Sequence, residues 1–329
     1  MTLDRSRPVF VTGGSGYIGR NLLRKLQEEG HAVRALARSA RSAEVVSSLG
    51  AEPILGDLFD LEALRKGLAG AGSLIHAAAD TDHGLGSTAQ ARANLDGTRN
   101  VYAEAKRARV RRALHLSTEA VLLTGRPLVS ADETTPIPVR PAGGYSRTKA
   151  EAERIALQHA DDSLEVVVVR PRFVWGRDDT TVLPQLIDAA RSGKLAWIGG
   201  GHYRVSTTHI ANAIHGMMLA LDRGCPGQVY FITDGETVEF RAFITELLAT
   251  QGVEAPSREV PRWLVVPVVR IGDGLARITG GVLHGPMSWQ EYAVLGVEVT
   301  LDIDKARRDL GYTPVISREE GLAELRSRH

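Results

Sequence analysis

An open, doubly wound parallel α/β sheet with a smaller, discontinuous second domain is the fold this sequence predicts. Three observations predict it. Short β-branched runs alternate with longer amphipathic stretches through the first half, a glycine cluster directly follows the first run, and residues 166–169 are four consecutive valines. Parallel strands need crossovers, so this alternation implies a sheet with helices on both faces. An unbroken valine row suits a strand buried on both sides.

The strands expected in order are residues 8–12, 32–37, 52–55, 73–77, 113–117 and 165–170. The first crossover, residues 17–29, carries Ile18, Leu22, Leu23 and Leu26 on one helical face. Beyond Arg170 the rhythm loosens. Gly199, Gly200 and Gly201 mark a turn, residues 210–221 read as a helix, and 228–233 as a strand returning to the first sheet. From Gly235 onward the pattern is mostly helix and loop. The expected division is a cofactor domain of residues 1–176 and 206–234, with a substrate cap of 177–205 and 235–329.

Composition narrows the partners. The chain has 329 residues, 43% hydrophobic and 24% charged, with 40 Lys and Arg against 39 Asp and Glu. A net charge of +1 gives no whole-chain reason to expect nucleic acid. The basic run 106–112 falls at the expected C-terminal end of a helix, where cations complement the dipole. One cysteine, Cys225, excludes an intrachain disulfide framework and a thiolate-cluster metal site. His209 and His215, six apart, lack metal-ligand spacing. No apolar run approaches bilayer length, and residues 261–271 are expected to pack on the main domain, with a lid over an apolar ligand as the alternative. A reduced, cytoplasmic protein is the expectation.

The strongest local signal is Thr12-Gly13-Gly14-Ser15-Gly16-Tyr17-Ile18-Gly19. Between a strand and a helix, such glycines let the backbone turn tightly and meet a pyrophosphate at the helix N-terminus. The run parses as G-x-x-G-x-x-G through Gly13, Gly16 and Gly19, or as G-x-G-x-x-G from Gly14. At the end of the second strand Ala37 lacks the carboxylate that would hold an NAD ribose, whereas Arg38, with Arg41 nearby, suits a 2′-phosphate. NADP is the cofactor expected, with NAD as the alternative. Asp57 and Leu58 follow the third strand, Asp57 placed to meet the adenine. Ala77 and Ala78 follow the fourth and leave room for the dinucleotide.

Tyr145 and Lys149, four apart on a helical segment, project from one face. A lysine ammonium near a phenol favours the phenolate, which would make Tyr145 a proton donor to a forming alkoxide. The pair lies downstream of Ser117-Thr118, at the carboxyl end of the fifth strand, where ligands of such sheets bind.

The glycine turn, Gly56-Asp57-Leu58, His76 to Ala79, Asn94-Leu95-Asp96-Gly97-Thr98, Ser117-Thr118 and Tyr145-x-x-x-Lys149 occur in the order seen in extended short-chain dehydrogenases/reductases. Arg170-Pro171 through Trp175-Gly176, His209 to Asn212 and Leu310-Gly311-Tyr312 also resemble that superfamily, so the likeness spans nearly the whole chain. The closest flavour is the 3β-hydroxysteroid dehydrogenase-like branch. The resemblance implies a Rossmann fold, with Thr118 holding the substrate oxygen, Tyr145 as acid/base and Lys149 on the nicotinamide ribose. It also implies a homodimer through the two helices flanking the tyrosine segment.

Two departures set the subclass. Sugar-nucleotide dehydratases carry Asp-Glu after the threonine, and here those positions are Glu119-Ala120. Sugar-nucleotide enzymes commonly place an asparagine where this chain has Phe173, which suits an apolar substrate better than a diphosphate. The expected reaction is the interconversion of a ketone and a secondary alcohol on a steroid-like, β-keto acid or aryl ketone substrate. The rivals are an epimerase of a nucleotide-sugar that retains its NAD, and a non-enzymatic dinucleotide sensor.

Overall fold

The computed structural model describes residues 4–82, 86–279, 282–283 and 285–327. Its main sheet has seven strands: β1 (Val9–Thr12), β2 (Val33–Ala37), β3 (Glu52–Leu55), β4 (Ser73–His76), β5 (Arg112–Leu116), β6 (Glu165–Pro171) and β7 (Val229–Ile232). They lie in the order β3-β2-β1-β4-β5-β6-β7, all parallel. The chain builds outward from β1 to β3, then returns to place β4 on the other side of β1. That reversal opens a crevice at the carboxyl ends of β1 and β4, where ligands of such sheets bind.

Side-chain alternation explains the two cores. Val9 and Val11 face one layer with Leu22, Leu23 and Leu26 of helix Tyr17–Glu28 and Met217 and Leu221 of helix Ile210–Arg223. Phe10 faces the other, with Leu64, Leu68, Val101 and Tyr102. The valines at 166–169 are all fully buried, as a strand covered on both faces requires.

A second, four-stranded sheet lies in the order Thr237–Glu239, Arg204–Ser206, Val299–Leu301, Leu128–Ala131. Its first pair is antiparallel and the others parallel. Leu128–Ala131 leaves the chain between β5 and helix Gly144–Gln158, so the second sheet is tied to the segment that carries Tyr145. A separate apolar cluster of Trp175, Trp197, Tyr203, Phe240, Phe243 and Leu247 fills this half.

The basic run 106–112 is largely neutralised. Lys106 pairs with Asp161 at 2.5 Å, Arg107 with Glu104 at 2.8 Å, and both Arg111 and Arg112 with Glu165. Lys106 and Arg107 form the last turn of helix Gly97–Arg107, as its dipole favours. Among the described residues no helix is long and apolar enough to cross a membrane, and no group of His, Cys, Asp or Glu could hold a metal ion.

Candidate active site

The crevice begins at the glycine turn. Gly13 has φ +78°, and a Cβ there would lie 2.7 Å from the Ala77 carbonyl carbon. Gly19 would put a Cβ 2.0 Å from the Gly13 oxygen. Both glycines are demanded by the protein's own packing, which selects the parse through Gly13. Gly16 is different. Its φ of −76° is open to any residue, and the only atom near an added Cβ is the Gly13 oxygen at 3.4 Å. Gly16 is also the N-cap of helix Tyr17–Glu28 and offers no side-chain cap, and no acidic residue occupies the first turn. The amides at Tyr17 and Ile18 thus open a positive helix end beside a space that glycine leaves free. These residues fit a pyrophosphate. Tyr17 itself is buried, so it would act through its backbone.

Around this turn the remaining expected cofactor residues converge. The Ala77 amide donates to the Thr12 carbonyl at 3.1 Å, and the Ala78 amide to Thr12 Oγ1 at 3.3 Å. Thr12 Oγ1 also meets His76 Nδ1 at 2.7 Å, locking β1 to β4 across the crevice. Asp57 is exposed, and its Oδ1 accepts from the amides of Phe59 and Asp60 at 2.8 and 3.1 Å. Leu58 packs against Gly97, where a Cβ would meet it at 2.7 Å. Arg38 and Arg41 are exposed, with no hydrogen bond or ion pair among the described residues. Ser39 caps helix Ala40–Ser48 between them.

The chemical centre forms where helix Gly144–Gln158 crosses the end of β5. Lys149 is buried and its Nζ donates to the Leu116 carbonyl at 2.6 Å. Burial lowers its pKa to about 8, opposed by Glu153 one helical turn on. Thr118 is buried, and its Oγ1 accepts from the Ala120 amide at 3.2 Å and donates to Glu119 Oε2 at 2.8 Å. The same hydroxyl is near enough to the Tyr145 phenol to act on its ionisation. Thr118 and Tyr145 come together here, and Lys149 stands one helical turn after Tyr145 with its Nζ on the Leu116 carbonyl.

The electrostatics depart from expectation. Burial raises the Tyr145 pKa and the Glu119 carboxylate raises it further, with the Thr118 hydroxyl opposing. The Lys149 ammonium is directed at the Leu116 carbonyl. Burial and the Glu119 charge both favour the neutral phenol at Tyr145.

Two residues to which the sequence assigned no role stand next to Thr118. Glu119, read from the sequence only as half of a missing pair, touches Thr118 directly and is compensated by Arg172, whose Nη1 lies 3.2 Å from Glu119 Oε1. Arg172 also donates to the carbonyls of Val299 and Val294, which ties the threonine to the second sheet. The available signal was a carboxylate beside an apolar strand end, which needs a buried cation once desolvated. Arg170 instead pairs with Glu153 at 2.5 Å, and Glu153 accepts from Ser117 at 2.6 Å. Asn94 pins the segment after β4 to the tyrosine helix, donating to Asp80 O and Thr148 Oγ1, both at 3.0 Å, and accepting from the Asp80 amide. Phe173 adopts φ +43°, uncommon for a bulky residue, with its ring edge-on to Phe243 at 6.0 Å. It is half-buried against the Trp175 cluster.

A glycine turn that fits a dinucleotide, followed by buried Thr118 and Lys149 with the half-buried Tyr145 at the carboxyl edge of the sheet, is the arrangement of an NAD(P)-dependent oxidoreductase of the short-chain dehydrogenase/reductase class. The family model for the NAD dependent epimerase/dehydratase family matches residues 9–233, and the chain belongs to that family. It is 49% identical, over 96% of its length and 95% of the relative's, to 4-hydroxy-2-methyl-3-oxo-4-farnesyl-3,4-dihydroquinoline-1-oxide ketoreductase of Stigmatella aurantiaca. It is 30% identical to the decarboxylating sterol-4-alpha-carboxylate 3-dehydrogenase of Dictyostelium discoideum, over 96% and 99% of the two chains. Among solved structures, gox2253 superposes with a TM-score of 0.78 at 28% identity, covering 98% of each chain. DesIV, a dTDP-glucose 4,6-dehydratase from Streptomyces venezuelae with NAD bound, superposes with a TM-score of 0.76 over 97% and 95% of the chains. At 23% identity it shares the fold alone.

Proposed function

We propose that the protein is an NADP(H)-dependent ketoreductase acting on a large, largely apolar substrate. The observation that carries this reading is the buried Thr118 hydroxyl facing the Tyr145 phenol, with buried Lys149 one helical turn further along the same helix. In reduction, a carbonyl oxygen receives a hydrogen bond from each hydroxyl. Thr118 turns its proton from Glu119 to that oxygen, and Tyr145 transfers its proton as the alkoxide forms. Glu119, by raising the phenol's pKa, keeps the proton on Tyr145 until the oxygen becomes basic. Lys149 leaves Leu116 to hold the cofactor's ribose hydroxyls, and its charge then supports the phenolate left behind. The dinucleotide, when bound, supplies the hydride.

Apolar surroundings support the substrate class. Tyr145 shares a cluster with Ala120, Leu123, Val265, Val266 and Tyr292, and the relatives named above act on farnesylated and sterol ketones or alcohols. Ala37 with the uncommitted Arg38 and Arg41 supports NADP over NAD. Residues 177–205 and 235–329 supply the substrate cap in this reading, and Phe173 packs on its Phe243. The test is NADPH oxidation against a panel of sterol, β-keto and aryl ketones. Consumption of NADPH with formation of the alcohol supports the proposal, and no turnover across the panel overturns it.

A further inference from the structure

Helix Arg262–Ile278 has two apolar faces, and among the described residues only one of them is covered. Val265, Val266 and Val269 pack inward, into the cluster that contains Tyr145. Trp263, Leu264, Val268, Ile271, Leu275 and Ile278 face outward, with exposures from 44% to 84%. Leu264, Val268, Ile271, Leu275 and Ile278, spaced four, three, four and three residues apart, make one continuous strip, with Trp263 beside its N-terminal end. A bare apolar strip of this kind marks an interaction surface.

Charge beside the strip says what covers it. A cleft along its edge is lined by Thr124, Arg126, Arg270, Asp273 and Trp289. Arg126 is exposed, with no hydrogen bond or ion pair among the described residues, and Arg270 lies over the Trp289 ring at 5.0 Å. The one carboxylate, Asp273, is committed to the Trp289 amide, both oxygens at 3.2 Å. An apolar strip with a tryptophan at one end and arginines along its edge matches a bilayer boundary with anionic headgroups. A second copy fits less well. A helix of 17 residues presents a strip roughly 25 Å by 10 Å. Two such strips bury roughly 500 Å², below the roughly 1,000 Å² a stable interface needs.

We infer that helix Arg262–Ile278 seats the protein on an anionic phospholipid bilayer, its outer face in the acyl boundary and Arg126 and Arg270 on lipid phosphates. The helix then stands between the bilayer and Tyr145, so a lipid-dissolved substrate reaches the site along its inner face. Docking itself does not depend on which reaction the site performs. The net charge of +1 conceals this local arrangement.

The test is co-sedimentation of the full chain with vesicles of phosphatidylcholine alone, or of phosphatidylcholine with phosphatidylglycerol, at low and high salt. Mixed vesicles are expected to bind about tenfold or more tightly than neutral ones, with salt removing the difference. Ile271→Glu/Leu275→Glu should lose binding to both. Arg126→Glu/Arg270→Glu should lose only the preference for phosphatidylglycerol. Melting and NADPH binding of each variant report its fold, and Ile278→Glu, at the most exposed position of the strip, serves if the double variant fails to fold. Absence of vesicle binding by the parent chain overturns the inference. So does binding that the strip variants leave unchanged, or a parent dimer that Ile271→Glu/Leu275→Glu dissociates while vesicles bind neither protein.

Discussion

Replacing Gly16 with alanine separates what the protein needs from what the cofactor needs. The backbone there, φ −76° and ψ 174°, accepts an L side chain, and the new Cβ would meet only the Gly13 oxygen at 3.4 Å. Gly→Ala at a compatible position stabilises a fold by about 0.4–1 kcal/mol, through the unfolded state. The melting temperature should therefore hold or rise slightly. The methyl group would stand at the helix N-terminus proposed to hold the pyrophosphate. Loss of one charge-assisted amide–phosphate bond costs about 1.5–3 kcal/mol, which is roughly ten- to a hundredfold in affinity. Titration of NADPH by fluorescence, beside a thermal melt, reads both effects in one preparation. Gly19→Ala is the control, because its Cβ 2.0 Å from the Gly13 oxygen should cost fold stability as well as binding. Should Gly16→Ala bind NADPH within about twofold of the parent, the pyrophosphate does not lie at this turn.

Four further outcomes are expected. Tyr145→Phe should lower turnover by about a hundredfold or more while leaving NADPH affinity unchanged; retained kcat would take the phenol out of the mechanism. Ala37→Asp/Arg38→Ala should shift cofactor preference toward NAD, measured as the ratio of kcat/KM values, and an unchanged ratio refutes the 2′-phosphate assignment. The kcat/KM for reduction should fall as pH rises through about 8, since Lys149 carries its proton below that value and loses it above. A profile flat to pH 10 would show the ammonium to be dispensable. Arg172→Met strands the buried Glu119 carboxylate and should cost about 3–5 kcal/mol in urea unfolding. Glu119→Gln/Arg172→Met should recover most of that loss, and a double variant no better than the single one would show that the pair is not coupled.

The main sheet was legible because its signals are strong and local. Residues 52–55 were placed at their observed bounds, and β1, β2, β4, β5, β6 and β7 within a residue at each end, since buried parallel strands are nearly continuous apolar runs. The second sheet was not legible. Thr237–Glu239, Arg204–Ser206 and Val299–Leu301 have three residues each, too few for a period-two pattern, and their partners lie far apart in the chain. At the candidate site, spacing and order singled out Thr118, Tyr145 and Lys149. The charge balance around them could not be read in this way, because it depends on where Lys149 points and on Arg172 reaching Glu119 from another strand end. Helix Arg262–Ile278 shows the same limit: its apolar content was plain in the sequence, but which face is covered is decided by tertiary packing.

The central claim is that Tyr145 and Thr118 convert an apolar ketone to its alcohol at the expense of NADPH. One incubation tests it most directly: purified protein, NADPH and a lipophilic ketone, with cofactor loss followed by near-ultraviolet absorbance and product by chromatography. The account predicts one alcohol formed per NADPH consumed, with both signals lost in Tyr145→Phe. A protein that retains NAD through purification, and rearranges a nucleotide-sugar with no net cofactor consumption, would contradict it.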